Sequence, residues 1–117
     1  MARFATPLLQ VTPAAGAEGT CLALHGELDL ATTPILEESL ASADVQGEPV
    51  VALDLTDLRF VDASGLKAIL NAHRRAIRSG RAGIALLNPS SDVRRLLTLT
   101  AIDLTVEVRD LVGPAAA

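Results

Sequence analysis

The sequence predicts one α/β domain with a mixed, mainly parallel β-sheet flanked by α-helices. Its 117 residues are the usual length of a single domain. Strand-like and helix-like segments alternate in the order ββαβαβαβ, which is typical of such a sheet. Short, nearly continuous apolar runs near Val50 and Leu86 suit its buried strands. We expect the domain to span residues 1–117, with a core from about 8 to 110 and a frayed tail at 112–117.

The first elements form a predicted β-hairpin. "PLLQVT" (7–12) is a candidate edge strand, and "CLALHGELDL" (21–30) alternates in part, which predicts a strand that ends near Glu27. Between them, "PAAGAEGT" (13–20) is a predicted loop because it is rich in Pro, Gly and small residues.

The first helix is predicted to begin at Thr33 and Pro34. Thr is a favourable N-cap residue, and Pro fits the first helical position. Apolar residues then recur at spacings of four and three along one face: Leu36, Leu40 and Ala43. The helical pattern fades within "SADVQGEP" (42–49).

The middle of the chain carries a strand and a longer helix. "VVALDL" (50–55) predicts a strand covered on both faces, and "TDLRF" (56–60) is predicted to connect it to the next element. From Ser64 to about Ser79 the spacing is helical, and Gly80 is well placed to end the helix. The apolar face of this helix carries Leu66, Ile69, Leu70, His73 and Ile77. Its polar face carries Lys67, Asn71, Arg74 and Arg78.

The last third of the chain repeats the strand–helix–strand pattern. "GIALLN" (83–88) predicts a buried strand, and "PSSDVRRLLTLT" (89–100) predicts a short helix with Ser90 or Ser91 as N-cap. "LTVEVRDL" (104–111) alternates, so it predicts a strand near an edge of the sheet.

Composition and charge argue against several classes of function. The net charge of −4 does not suit a nucleic-acid partner, because affinity there comes from neutralised phosphates. Phe4 and Phe60 are the only aromatic residues apart from histidine, too few for a base-stacking platform. No apolar run is long enough to span a bilayer and the N-terminus lacks a signal-peptide pattern, so we expect no direct membrane insertion and a cytoplasmic location.

The single cysteine, Cys21, excludes an internal disulfide and a thiolate metal cluster. Because it lies in an apolar, strand-like run, we interpret it as a buried, inert thiol. We expect the chain to bind no metal and no cofactor.

The segment "VDASGLKAIL" (61–70) places Ser64 where an apolar strand turns into a helix. A nucleophile elbow has the pattern G-x-S-x-G, but Asp62 stands at the first glycine position. A catalytic base is also missing: His73 lies about 13 Å along the same helix, and nothing in the sequence directs His25 toward Ser64. The sequence therefore argues against a hydrolase, and without G-x-G-x-x-G or a P-loop it argues against a nucleotide cradle.

Two interpretations of this corner remain. Ser64 or Asp62 caps the helix, as both residue types commonly do. Alternatively, Ser64 accepts a phosphate, since a helix N-terminus favours an anion and Lys67 adds a cation in the first turn. On that interpretation Gly65 lets a kinase approach closely, and Ala63 leaves no competing hydroxyl next to Ser64.

Three segments of the chain resemble the STAS domain family, in particular the bacterial anti-sigma factor antagonists. "LDLTDLRFVDASGLKAIL" closely resembles the family signature, "GELDLATTPILEESL" an earlier strand–loop–helix segment, and "PSSDVRRLLTLTAID" the last helix and its turn. The resemblance covers residues 8 to 110 approximately and implies a STAS-like mixed sheet flanked by helices.

The resemblance also implies a mechanism called partner switching. The unphosphorylated antagonist binds an anti-sigma factor, which is a serine kinase, and this frees a sigma factor. The kinase uses Mg-ATP to phosphorylate the antagonist, the pair separates, and a PP2C-type phosphatase restores the antagonist. The antagonist itself is not an enzyme. The alternatives are a STAS accessory subunit of a stressosome-like or lipid- or anion-transport complex, and a module that binds a small ligand or nucleotide.

Carried over by position, Ser64 matches the phosphorylated serine of the family. The resemblance then implies partner-binding residues in the segment around Ser64 and in the loop that contains Asp29. They are Asp29, Thr32, Thr33, Asp62, Ala63, Gly65, Leu66 and Lys67. Asp54 also fits the pattern, with an expected structural role at a strand end. The sequence departs from many family members at Ala101, where they have glycine, and at Ala63, where a second serine is frequent. If position 101 needs a positive φ, alanine there costs about 1 kcal/mol.

Overall fold

We describe residues 8–14 and 19–111 in a computed structural model of the chain. The elements follow the predicted order: β1 (Leu9–Ala14), β2 (Thr20–Leu28), α1 (Thr33–Gln46), β3 (Val50–Val61), α2 (Ala63–Arg78), β4 (Gly83–Leu87), α3 (Ser91–Leu99), a 3₁₀ turn (Ile102–Leu104) and β5 (Glu107–Arg109). The predicted tail at 112–117 and residues 15–18 of the predicted loop lie outside the described residues, whereas Pro13 and Ala14 belong to β1 and Thr20 to β2.

The five strands form one mixed sheet in the order β1-β2-β3-β4-β5. β1 pairs antiparallel with β2, and every later pair is parallel. Each parallel connection contains one helix and steps to the next strand in the same direction. Because such connections are right-handed, α1, α2 and α3 all lie on the same face of the sheet. One hydrophobic core accordingly contains side chains from all three helices, among them Leu36, Ile69 and Val93.

The opposite face of the sheet carries mainly small and polar side chains, with Leu87 as an exception. Register places Cys21, Ala52 and Ala85 in one row across the strands, and Thr12, Ala23 and Asp54 in the next. The prediction that residues 50–55 are covered on both faces was therefore only partly right, since Ala52 and Asp54 are half-buried. Cys21 is buried as predicted, and burial, together with the charge of Asp54, raises the pKa of its thiol.

Two strands differ in length from their predictions. β3 continues through the predicted connection at 56–60 as far as Val61, because Leu58 and Val61 are buried and pair with β2. Pairing of β2 with β3 shifts register twice along this stretch, so strict alternation is lost and the sequence pattern is hidden. β5 has only three residues, since the start of the predicted strand at 104–111 lies in the 3₁₀ turn and the loop after it.

Ala101 has the backbone conformation that its family position suggested. Its φ is +60°, in the left-handed region that costs a non-glycine residue about 1–2 kcal/mol. Glycine there loses about 0.4–1 kcal/mol through the extra freedom of the unfolded chain. We therefore expect Ala101→Gly to raise the free energy of unfolding by roughly 0.5–1 kcal/mol, measured by urea titration. Ala41→Gly, on the exposed face of α1, is the matched control and is expected to destabilise the protein; destabilisation by Ala101→Gly as well would contradict strain at position 101.

His73, which was predicted on the apolar face of α2, is buried. Its side chain is 9% exposed, and its Nδ1 accepts a hydrogen bond of 3.0 Å from the backbone N–H of Ile84. Burial, assisted by the charge of Arg74, lowers the pKa of His73. The unfolded chain keeps a pKa near 6.5 and so binds the proton first as the pH falls.

This difference predicts a loss of stability on acidification. The contribution of His73 is complete above pH 6.5 and falls as the pH drops from there toward the lower pKa of the folded state. We expect His73→Gln, which retains a hydrogen-bond acceptor, to lose less unfolding free energy than the wild type between pH 7.5 and 5.5. The same comparison with His25→Gln is the control, and equal losses in wild type and His73→Gln would exclude this role.

Candidate functional site

The corner between β3 and α2 is capped by Asp62, not by Ser64. The Asp62 carboxylate accepts a 3.1 Å hydrogen bond from the backbone N–H of Gly65, and its carbonyl accepts one from the N–H of Leu66. Of the two capping residues that the sequence allowed, the structure selects Asp62. Ser64 lies half-buried at the second position of the helix, and its hydroxyl has no hydrogen-bond partner among the residues described.

Gly65 is required for packing. A Cβ added at this position would lie 2.6 Å from Leu28 Cγ and 2.9 Å from Val61 Cγ2. Gly65 is buried, so the structure gives it a packing role; the close approach of a kinase at this residue stays a prediction. Leu66 is also buried, at 5% exposure. These two predicted partner-binding residues hold the first turn of α2 against β2 and β3 and thereby position Ser64.

The turn between β2 and α1 is organised around Asp29. Its carboxylate oxygen Oδ1 accepts hydrogen bonds of 3.0 Å from the backbone N–H groups of Ala31 and Thr32. The Thr32 hydroxyl donates to the carbonyl of Glu27, and the Thr33 hydroxyl donates to that of Asp29. Thr32 and Thr33 are 5% and 8% exposed, and the hydroxyls of both stabilise the turn.

The predicted N-cap of α1 is displaced by one residue. Thr32 occupies the cap position, α1 begins at Thr33, and no side-chain hydrogen bond from Thr32 caps the helix. The physical reason is that both threonine hydroxyls are used in the turn around Asp29. Asp54, predicted at a strand end, lies inside β3 and accepts hydrogen bonds from the backbone and hydroxyl of Thr56.

A surface groove of about 360 Å³ separates the first turns of α1 and α2. Ser64, Lys67, Ala68 and Asn71 of α2 line one side, and Leu30, Thr33, Pro34 and Glu37 line the other. We call it the Ser64 groove. The sequence had placed Ser64 and Lys67 on this surface, but it had not indicated Leu30, which is 75% exposed. The only available signal was a leucine directly after Asp29, between the strand pattern and the helix pattern.

The electrostatics of the Ser64 groove are mixed. Lys67 is exposed and forms no ion pair with any residue in the described part of the chain. Asp62 places a carboxylate at the start of α2, and Glu37 lines the facing wall. The groove thus offers an uncommitted hydroxyl next to one cation and two acidic groups, an arrangement in which added negative charge has a large effect.

Both histidines of the chain are engaged away from Ser64. His25 lies beside Asp57, with 3.2 Å between Nδ1 and Oδ2, and its Nε2 is 3.3 Å from the Thr12 hydroxyl. His73 bonds to the backbone of β4. Within residues 8–14 and 19–111, no three His, Cys, Asp or Glu side chains are grouped to hold a metal ion, and no helix is both long and apolar enough to cross a membrane.

The fold and the corner together define a class: a one-sheet α/β domain that presents a half-buried serine at the start of its second helix. Comparison with protein families gives the particular assignment. The chain belongs to the STAS domain family, whose model matches residues 7–115.

Individual relatives are consistent with this assignment. The chain is 27% identical over 88 residues to an anti-sigma-B factor antagonist of Listeria monocytogenes, which covers 75% of this chain and 76% of the relative. Its fold is similar to that of an anti-sigma factor antagonist from Mycobacterium paratuberculosis, with a TM-score of 0.77, 21% identity and coverage of 86% and 85% of the two chains.

SpoIIAA, also described as an anti-sigma factor antagonist, has the same fold in two chemical states. Its unphosphorylated form matches with a TM-score of 0.70, and the phosphorylated form, from Bacillus, with 0.65, both at 24% identity. The first match covers 92% of this chain and 91% of SpoIIAA, and the second covers 92% and 95%.

Proposed function

We propose that this protein is an anti-sigma factor antagonist that works by partner switching and has no catalytic activity of its own. Its unphosphorylated form binds an anti-sigma factor, a serine kinase, and thereby frees a sigma factor. Phosphorylation of Ser64 ends that binding. The observation that carries the proposal is the position of the Ser64 hydroxyl, which lies uncommitted in a surface groove at the start of α2. Similarity to relatives that are known as anti-sigma factor antagonists supports the general role.

Charge is the proposed physical basis of the switch. A phosphate changes the local charge by about −1.5 to −2 at neutral pH. The Asp62 carboxylate already accepts the hydrogen bond from the Gly65 N–H, so this donor is not free for a phosphate on Ser64. The phosphate is instead repelled by the carboxylate at the helix start. Lys67, three residues along the same groove, is the cation that offsets part of this repulsion in the free protein.

The proposed contact surface is what remains exposed around the Ser64 groove. Ala63 and Lys67 are exposed, whereas Asp29 and Asp62 are half-buried at its edge. Leu30 is largely exposed and supplies apolar area that a partner can bury. The kinase brings its own Mg-ATP, and a PP2C-type phosphatase removes the phosphate; both partners belong to the bacterial cytoplasm. The proposal needs no nucleic acid, no membrane insertion and no resident cofactor.

Mass spectrometry after incubation with the cognate anti-sigma kinase and Mg-ATP tests the proposal. We expect one added phosphate, located on Ser64, and none in Ser64→Ala. Ser90→Ala is the matched control, because Ser90 caps α3 and lies outside the groove. Phosphate on another residue, or unchanged phosphorylation of Ser64→Ala, would exclude Ser64 as the acceptor.

A further inference from the structure

A second groove lies on the other half of α2. Its volume is about 430 Å³, and it is lined by His73, Arg74, Ile77, Arg78 and Thr105. We call it the Arg74 groove. It is separate from the Ser64 groove: Arg74 and Arg78 lie ten and fourteen residues beyond Ser64, which corresponds to about 15 and 21 Å along the helix.

The two arginines of the Arg74 groove differ from their neighbours. Arg75 and Arg81 both pair with Asp44, at 3.2 and 2.9 Å. Arg74 and Arg78, by contrast, have no acidic partner among residues 8–14 and 19–111, and no acidic side chain lines the groove. They stand four residues apart on one helix face, where two like charges repel each other.

His73 contributes a further donor to the groove. Its Nδ1 accepts the hydrogen bond from Ile84, so the proton of the neutral ring is on Nε2. Nε2 has no partner in the described part of the chain, and no fully buried polar side-chain atom there is left unpaired. His73 is only 9% exposed, and it lines the groove. Its unpaired Nε2–H therefore faces the groove opening.

Apolar surface accompanies these donors. Ile77 is 50% exposed inside the groove, and Leu104, adjacent to Thr105, is 85% exposed. Arginine is enriched at protein interfaces, and an open surface groove encloses less of a small molecule than a ligand pocket does. Negative charge with neighbouring apolar side chains is the complement of this surface.

We propose that the Arg74 groove is a second docking site, whose occupant is an acidic segment of a partner protein with leucine-like side chains next to its carboxylates. The carboxylates pair with Arg74 and Arg78 and accept from His73, and the apolar side chains pack on Ile77. Because this site lies on the far half of α2, the partner binds whether or not the Ser64 groove is occupied.

Selection from a displayed library of random 12-residue peptides tests this site. We expect the full chain to enrich peptides that place Asp or Glu beside Leu, Ile or Phe. The best synthetic peptide is expected to shift the NMR signals of His73, Ile77 and Thr105. The double variant Arg74→Ala/Arg78→Ala is expected to weaken peptide binding at least tenfold. The control Arg59→Ala/Arg95→Ala, which removes two exposed charges elsewhere, is expected to change the peptide affinity less than twofold.

Several results would overturn the proposal. These are enriched peptides without acidic residues, an NMR footprint elsewhere, or equal losses in the two double variants.

Decanoate that binds the same groove more tightly than the peptide would identify a small amphiphile as the occupant instead. A wild-type dimer that Arg74→Ala/Arg78→Ala converts to a monomer, measured by sedimentation, would identify a second copy of the chain. Phosphorylation at Ser64 is expected to be unchanged in that variant, so this test and the test of the proposed function fail independently.

Discussion

Replacement of Ser64 by aspartate is expected to weaken the complex with the anti-sigma kinase about a hundredfold. A unit charge about 6 Å from another acidic group, at an effective dielectric near 20, costs about 3 kcal/mol. That energy corresponds to roughly two powers of ten in the dissociation constant. Docking of the partner removes water from the groove and lowers the effective dielectric, so the repulsion between a carboxylate at position 64 and those of Asp62 and Glu37 becomes stronger in the complex than in the free protein.

Calorimetry of the complex with three variants separates charge from size. We expect Ser64→Ala to keep its affinity within a few fold, since it removes an uncommitted hydroxyl. Ser64→Asn matches the size of aspartate without its charge, and we expect it to bind much more tightly than Ser64→Asp. The penalty of Ser64→Asp is expected to shrink as salt is raised, because the groove is exposed and screening is effective there. If the Asn and Asp variants bind equally weakly, bulk and not charge operates the switch.

Gly65→Ala is expected to lower the free energy of unfolding by roughly 1–3 kcal/mol, the usual cost of overpacking a core. The sign of the change is informative. In an uncrowded helix the same substitution is favourable by up to about 1 kcal/mol, because alanine has the higher helix propensity. Here the new methyl group would approach Leu28 Cγ to 2.6 Å, and Leu28 is fully buried and has no room to move.

A double-mutant cycle with Leu28→Ala tests this cause. Leu28→Ala alone is expected to be destabilising, since it leaves a cavity. If the contact between positions 65 and 28 is the origin of the cost, the double variant is more stable than the sum of the single changes by about 1 kcal/mol or more. Urea unfolding of the four proteins gives this coupling. Strict additivity, or a stabilising Gly65→Ala, would contradict the packing role assigned to Gly65.

The order of elements was predictable because local physics and tertiary packing agree along most of the chain. Leu36, Leu40 and Ala43 repeat at helical spacing and are all buried. β4 is a continuous apolar run and is buried at every position. The length of β3 was not predictable, because its pairing with β2 shifts register and places Leu58 inward, out of phase with the buried Leu53 and Leu55, while Asp57 and Arg59 are exposed.

The candidate site was predictable only at its centre. Ser64, Asp62 and Lys67 are close in sequence, so a helix start brings them together without any tertiary information. Leu30 and Glu37 come from a turn and helix some thirty residues earlier in the chain, and only the packing of α1 beside α2 brings them to the same groove. The Arg74 groove similarly requires Thr105, from the far end of the chain.

The amino-acid sequence by itself determined the alternation of strands and helices, the placement of Ser64 at a strand-to-helix corner, and the family. Those features depend on periodicity and on neighbouring residues. Tertiary structure decided that Asp62 caps the corner, that Gly65, Leu66, Thr32 and Thr33 support the surface from within, and that α2 has two grooves. The physical reason is that burial and steric contact depend on which distant segments meet, and no local pattern records that.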